Sequence, residues 1–443
     1  MSNTARLIIP VWGEQYVNDV LSVTLPAVLA PGNLPALSET FAVEVAIVTE
    51  SRLFDLIRDS GPFQTIERIG TARLIPLDDL LADCDGDYGT ILTYALFRGF
   101  ADLGALMTET YLLFLNADFI ISDGSLRYLG ELMREGKRLI HAPSFRVVLE
   151  EVWPRLLGRV DTSSWTLSMG SREMAKLALG HRHPTVKART VNQRLNHQRW
   201  MDQFYWYVDE ETMIGYQSPV ALVAIKPERI IGEPKVFWDY GFVPEAAPTL
   251  TPHFITDSDD FFMIEPQNRD HQASLIRAGW VSVDDLARTE SLRATKEHRE
   301  SLRHLIKIHS GDLPDDLPEF VEESRAFMAE INCRLSPEPA PHMGHPVFGW
   351  WNDSSLTMAA LRTLQKFYRR TFGSPPEVGK SHPLWIESVL AATRSVPNRR
   401  IGDSANILSI ALGDWPRRRL RDISRDAVAP LFDGCVCDLT FDE

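Results

Sequence analysis

The sequence predicts an α/β protein built on a mostly parallel, Rossmann-like sheet with helices on both faces. Three observations carry this reading. Short apolar stretches with the composition of fully buried strands recur from Arg6 to Ala142, alternating with segments at helical spacing. These stretches end abruptly in polar residues, as in open α/β sheets that hold ligands at their carboxyl edge. The most apolar of them, Tyr111-Leu-Leu-Phe-Leu115, runs without a charge straight into Asn116-Ala-Asp118.

Taken in order, Arg6-Leu-Ile-Ile-Pro-Val-Trp12 is a strand, Gly13-Glu14 leaves it, and Tyr16 to Leu29 reads as a helix, which opens a βα unit. Phe41 to Thr49 is the second strand, with Glu50 and Ser51 at its carboxyl end. Ser51 is placed to cap a helix from Arg52 to Ser60. Thr71 to Pro76 is a short third strand. Gly89 to Leu106 spaces Ile91, Leu92, Ala95, Leu96 and Phe100 along one helical face and feeds the Tyr111 strand. Ser125 to Glu135 is a further helix and Arg138 to Ala142 a further strand. From Val147 to Gly180 the pattern turns helical. Arg194 to Tyr207 is crowded with aromatics and reads either as a core helix or as the wall of an acceptor site. Gly215 to Ile225 returns to strand, and the acid-rich loop Thr251 to Asp260 precedes the apolar Phe261 to Ile264. Beyond Gln267 the character changes to charged amphipathic helices, Leu286 to Ile308 and Leu317 to Arg334, parted by a Gly/Pro breaker.

Composition narrows the class. A chain of 443 residues exceeds one ordinary core, and a net charge of −14 argues against a general nucleic-acid-binding surface. No run of eighteen apolar residues is present and the start lacks a signal-peptide layout, so a cytoplasmic enzyme is expected. Cys84, Cys333, Cys435 and Cys437 are too scattered for a disulfide framework. Cys435-Val-Cys437 lacks a partner pair for a metal site. Gly402-Asp-Ser404 is a three-residue fragment of a hydrolase serine motif without its context. Arg417 to Arg421 reads as a solvated helix face, or as a peripheral contact with anionic lipid at the inner face of the membrane.

The alternation Asn116-Ala-Asp118 points both polar side chains to one side of an extended chain, a seat for a hard cation such as Mg²⁺ or Mn²⁺. As plain turn residues they need no ligand at all. Here the chain resembles the nucleotide-sugar glycosyltransferases of the GT-A fold, family-two-like in character. Leu-Ile-Ile-Pro-Val-Trp12 is similar to their first strand, Val43 to Thr49 with Glu50 follows at a similar distance, and Tyr111 to Asp118 resembles their acidic strand-end motif with Asn116 in place of the first acid.

The resemblance implies a catalytic domain over 1–266, with a nucleotide-binding half about 1–145 and an acceptor half about 146–266; the change of character beyond it marks a helical extension over 267–346 and a helical region over 347–443. It implies a nucleoside-diphosphate sugar as donor and a glycan or lipid-linked acceptor. It also implies Mn²⁺ or Mg²⁺ at Asp118, for which His253 is the candidate second ligand. Pro10, Trp12, Glu50 and Asn116 are expected near the donor, Trp12 serving equally as core packing. Asp257, Asp259 and Asp239 are the candidate bases, and the sequence does not choose among them. A nucleotidyltransferase usually carries a Gly-rich basic loop after the first strand, and Pro10 to Gln15 has no basic residue. A catalytically degenerate scaffold is the non-enzymatic alternative, suggested by Asn116.

Overall fold

The structure is a computed structural model that describes residues 3–339 apart from 84–87, 198–201, 219, 233 and 235–237. The region expected to be helical over 347–443, with Gly402-Asp-Ser404, Arg417 to Arg421, Cys435 and Cys437, lies outside the described residues, as does Cys84.

In chain order the strands are β1 (Thr4–Pro10), β2 (Ala42–Thr49), β3 (Thr71–Pro76), β4 (Thr110–Phe114), β5 (Ile120–Ile121), β6 (Leu139–Ala142), β7 (Ser144–Val148), β8 (Leu195–His197), β9 (Gln203–Tyr207), β10 (Thr212–Gln217), β11 (Ala221–Ile225), β12 (His253–Phe254), β13 (Met263–Gln267), β14 (Ile276–Ala278) and β15 (Ile306–His309). Seven form the central sheet, ordered β12-β6-β11-β4-β1-β2-β3. β1 runs parallel to β2 and β4, β2 to β3, and β12 to β6, while β11 is antiparallel between β4 and β6. The α/β class with a mostly parallel sheet is therefore the architecture observed.

Alternation along the strands explains why both faces are covered. Leu7 and Ile9 of β1 face a core shared with the helices Leu25–Val28, Gly61–Ile69 and Ser125–Arg134. Ile8, between them, faces a second core built with the helix Tyr88–Arg98 and the turn Trp238–Phe242. No helix among the described residues is long and apolar enough to cross a membrane.

Three segments differ from the sequence reading. The aromatic stretch expected as a helix forms β8 and β9. Consecutive β-favouring aromatics suit a strand buried on both sides, and Phe204 and Trp206 face one core while Tyr205 faces another. All three are fully buried, so they wall no acceptor site. The strand expected from Gly215 to Ile225 is two strands in different sheets, β10 with β9 and β15, and β11 in the central sheet. The helix expected from Leu286 to Ile308 breaks into Val283–Arg293 and Lys296–Ser301 and ends as β15, whose Ile306 and Ile308 alternate into a core. On a smaller scale, Ser51 caps no helix. Its N–H and hydroxyl both donate to Asp78, at 3.0 and 2.7 Å.

Candidate active site

The carboxyl ends of β1 and β2 meet through one carboxylate. Gly13 adopts φ +84°, a conformation that favours glycine, and turns the chain out of β1. Its N–H donates to Glu50 Oε2 at 2.7 Å, while Arg52 Nε donates to Glu50 Oε1 at 2.8 Å. Glu50 is thus held in one orientation beside the β1 exit. Pro10 is buried at the last position of β1, and Trp12 stacks on the exposed Tyr88 with ring centroids 6.4 Å apart. The structure brings Pro10, Trp12 and Glu50 together at one edge.

On the next strand along the same edge, beside β1, Asn116 and Asp118 follow β4 in a tight turn closed by Phe119 N–H to the Asn116 carbonyl at 3.0 Å. Asp118 Oδ2 accepts from Gln267 Nε2 at 3.0 Å, and the same nitrogen donates to Glu265 Oε1 at 3.2 Å. Glu265 and Gln267 sit two apart on β13 and so point to one side. β7 pairs with β13 in register and sets Arg146 opposite Glu265. Arg146 Nε donates to Glu265 Oε1 at 3.0 Å, and Ser144 Oγ donates to Glu265 Oε2 at 3.4 Å. Burial, then the charge of Glu265, pushes the Asp118 carboxyl up to about 7. Among the described residues Asp118 has no ion-pair partner of its own. Beside this group the buried Arg189 holds Asp202 at 3.0 Å and Gln203 at 3.0 Å.

His253 is not part of this constellation. It pairs with Ile140, on a level with Leu113, and lies three strands away from β4, roughly 14 Å sideways at the usual strand spacing. Its charged neighbours are Lys137, Glu135, Asp260 and His304. One cation cannot take both His253 and Asp118, because β12 enters at the opposite flank of the sheet.

Asp257 and Asp259 lie off the other end of β13 from Gln267, about 13 Å of strand away. Asp257 accepts from Lys307 Nζ at 2.5 Å and His309 Nε2 at 2.9 Å, and Asp259 is gripped by Arg172 at 2.9 to 3.2 Å. Burial opposes the charge of Asp257, but the His309 and Lys307 bonds hold its carboxyl well below the usual range. Asp257, Asp259 and His309 offer ligand atoms within 4.8 Å of one another, with Lys307 and Arg172 already on the carboxylates. This cluster fastens β15 to the loop before β13.

Asp239 is placed differently. It follows Trp238, which packs edge-on against Phe114 of β4 at 4.5 Å, and keeps an exposed edge at a recess in the surface. The surrounding protein, and then Asp202, raise its carboxyl above the ordinary value.

Glu265, Gln267, Arg146 and Arg189 escaped the sequence reading. The signal was a polar pair two residues apart in an apolar strand, which becomes visible only once β13 is known to be a strand.

No protein-family model and no curated protein sequence matches the chain. Among solved structures it is similar to a protein described as a glucose-1-phosphate thymidylyltransferase from Bacillus anthracis, solved with sucrose, with 14% identity over 33% of this chain and a TM-score of 0.21. The match spans 56% of that protein's length. It is also similar to an apo UDP-glucose pyrophosphorylase, with 11% identity over 74% of this chain and 99% of that one, at a TM-score of 0.23.

Proposed function

We propose that the protein is a glycosyltransferase that moves a sugar from a nucleoside-diphosphate sugar to a glycan or lipid-linked acceptor, assisted by Mn²⁺ or Mg²⁺. One observation carries the reading: Glu50 and Trp12 share a sheet edge with Asp118, which Gln267 ties to a second carboxylate, Glu265 of β13. Asn116 and Asp118 sit in a turn rather than an extended chain, and the donor set is the carboxylates Asp118 and Glu265, hard oxygens that fit either cation. Glu265 supplies the second formal charge that Asn116 lacks.

When bound, the cation neutralises charge gathering on the leaving diphosphate. The rest is the work of the chain. Glu50, fixed by Gly13 and Arg52, turns its remaining lone pairs to the ribose hydroxyls. Trp12, backed by Tyr88, offers a ring face to the base. Asp239 takes the proton of the acceptor hydroxyl as its oxygen bonds to the anomeric carbon. The bond from that carbon to the diphosphate breaks, and its electron pair leaves with the diphosphate. Asp239 is preferred over Asp257 and Asp259 because those two are engaged by Lys307, His309 and Arg172.

Calorimetric titration of a panel of nucleoside-diphosphate sugars with Mn²⁺ tests this, using wild type and Asp118→Ala. Binding by wild type that weakens in the variant is expected. Absence of binding at millimolar concentrations overturns the reading, as does release of pyrophosphate from a nucleoside triphosphate and a sugar 1-phosphate.

A further inference from the structure

A cavity of about 440 Å³ opens between β6, β11, the segment 238–254 and the helix Lys296–Ser301. That volume suits a ligand of one or two rings. His141 and Leu222 of the sheet, Trp238 and Phe254 line it, and the exposed Asp239 and Thr251 stand at its rim.

Its polar groups define what it accepts. His141 Nδ1 lies 3.0 Å from the Val220 carbonyl, which can only accept, so the ring proton is on Nδ1. Burial pushes the His141 pKa down to about 4, leaving the ring neutral near pH 7. Its Nε2 is then a hydrogen-bond acceptor, and no described residue donates to it. Asp239 is a second acceptor. The charged lining residues are three acids, Asp239, Glu297 and Glu300, against Lys296, which disfavours an anionic guest. Two acceptors between aromatic and aliphatic walls call for hydroxyl donors on a ring with an apolar face.

The cavity also adjoins the site above. Ser218 N–H donates to the Asp202 carbonyl at 2.7 Å, and Val220, two residues on, holds His141. Asp239 feels the charge of Asp202, which Arg189 grips.

We infer that this cavity is the acceptor site and takes a neutral pyranoside, with one hydroxyl on Asp239 and another on His141 Nε2. The inference rests on the transferase reading and names its acceptor class. Phe254 stacks between His141 and His304 and Trp238 stacks on Phe242, so a bound pyranoside lays its apolar face against Leu222, Val243 and Leu250.

The test uses saturation-transfer NMR and calorimetry with phenyl glucopyranoside, galactopyranoside and mannopyranoside on the full chain. At least one binds at millimolar concentration. Thr251→Trp, an exposed rim position that leaves the core intact, lowers that affinity roughly tenfold by closing the mouth. His141→Phe keeps the ring but not the acceptor and lowers it roughly fivefold. Neither variant changes nucleoside-diphosphate affinity. Absence of binding by all three glycosides, or unchanged affinity in both variants, overturns the inference. If the glycosides bind as stated but no nucleotide sugar does, the pyranoside cavity stands and the transferase reading falls. If nucleotide sugars bind and no glycoside does, the inference falls alone.

Discussion

Asp118 and Glu265 share one hydrogen-bond donor, the Gln267 amide, at 3.0 and 3.2 Å. Burial, and then the repulsion of Glu265 that one neutral amide does not cancel, raises the Asp118 carboxyl to about 7. A carboxyl raised on folding stabilises the native state fully below its unfolded value near 4, and that contribution is lost as pH rises through about 7. Asp118→Asn is therefore expected to be more stable than wild type at pH 8 without metal, and the gap should narrow by pH 5. Urea unfolding at both pH values checks this, and the same variant should lose Mn²⁺ affinity in calorimetry.

Asp257 works in the opposite direction. Its depressed carboxyl contributes stability above about 4, and the raised His309 contributes below about 6.5, so their pairing is strongest between those values. Asp257→Asn should cost about 2 kcal/mol in that window, with His309 mostly buried and left facing an amide. Denaturation against pH should show the loss shrinking toward both sides, while nucleotide affinity stays at the wild-type value.

Glu50 joins the exits of β1 and β2 through the Gly13 N–H and Arg52. Glu50→Ala frees that turn and should cost about 1 kcal/mol of stability. It should also lower nucleotide affinity roughly tenfold, equal to about 1.4 kcal/mol. Glu50→Gln keeps an acceptor and should fall between. Unfolding and calorimetry on the two variants separate the structural part from the binding part.

Arg189 is almost wholly buried and grips Asp202. Arg189→Met leaves that carboxylate without its cation in the interior and should cost about 3 kcal/mol or more. Asp202→Asn in the same background should recover part of the loss, which thermal unfolding of the double variant measures.

Much of the sheet could be read directly because its strands are local signals. Val, Ile and Leu in β1, β2 and β4 fit a strand buried on both faces, and Thr71 to Pro76 falls at the expected residues. Asp118, Glu50 and Trp12 follow those strands immediately, so their placement came with them. Glu265 and Gln267 did not, because their meaning depends on β13 pairing with β5 and β7, contacts more than a hundred residues distant in sequence. His253 failed as a partner of Asp118 for the same reason. Nearness in a list of polar residues says nothing about which flank of a sheet a two-residue strand joins. The aromatic stretch before Tyr207 misled because bulky residues suit a buried helix and a doubly buried strand alike.

The position of β11 has a consequence for how the chain is made. This strand fills the gap between β4 and β6, and its Ile225 pairs with Leu112 and Leu139. During synthesis β4 and β6 emerge long before β11, each with a bare edge facing that gap. The central sheet cannot close until Ile225 has left the ribosome. A chain stopped near residue 145 would hold β1 to β6 yet leave the facing edges of β4 and β6 unpaired, and should aggregate rather than fold. Residues 1–145 are thus continuous in sequence but are not an independent folding unit.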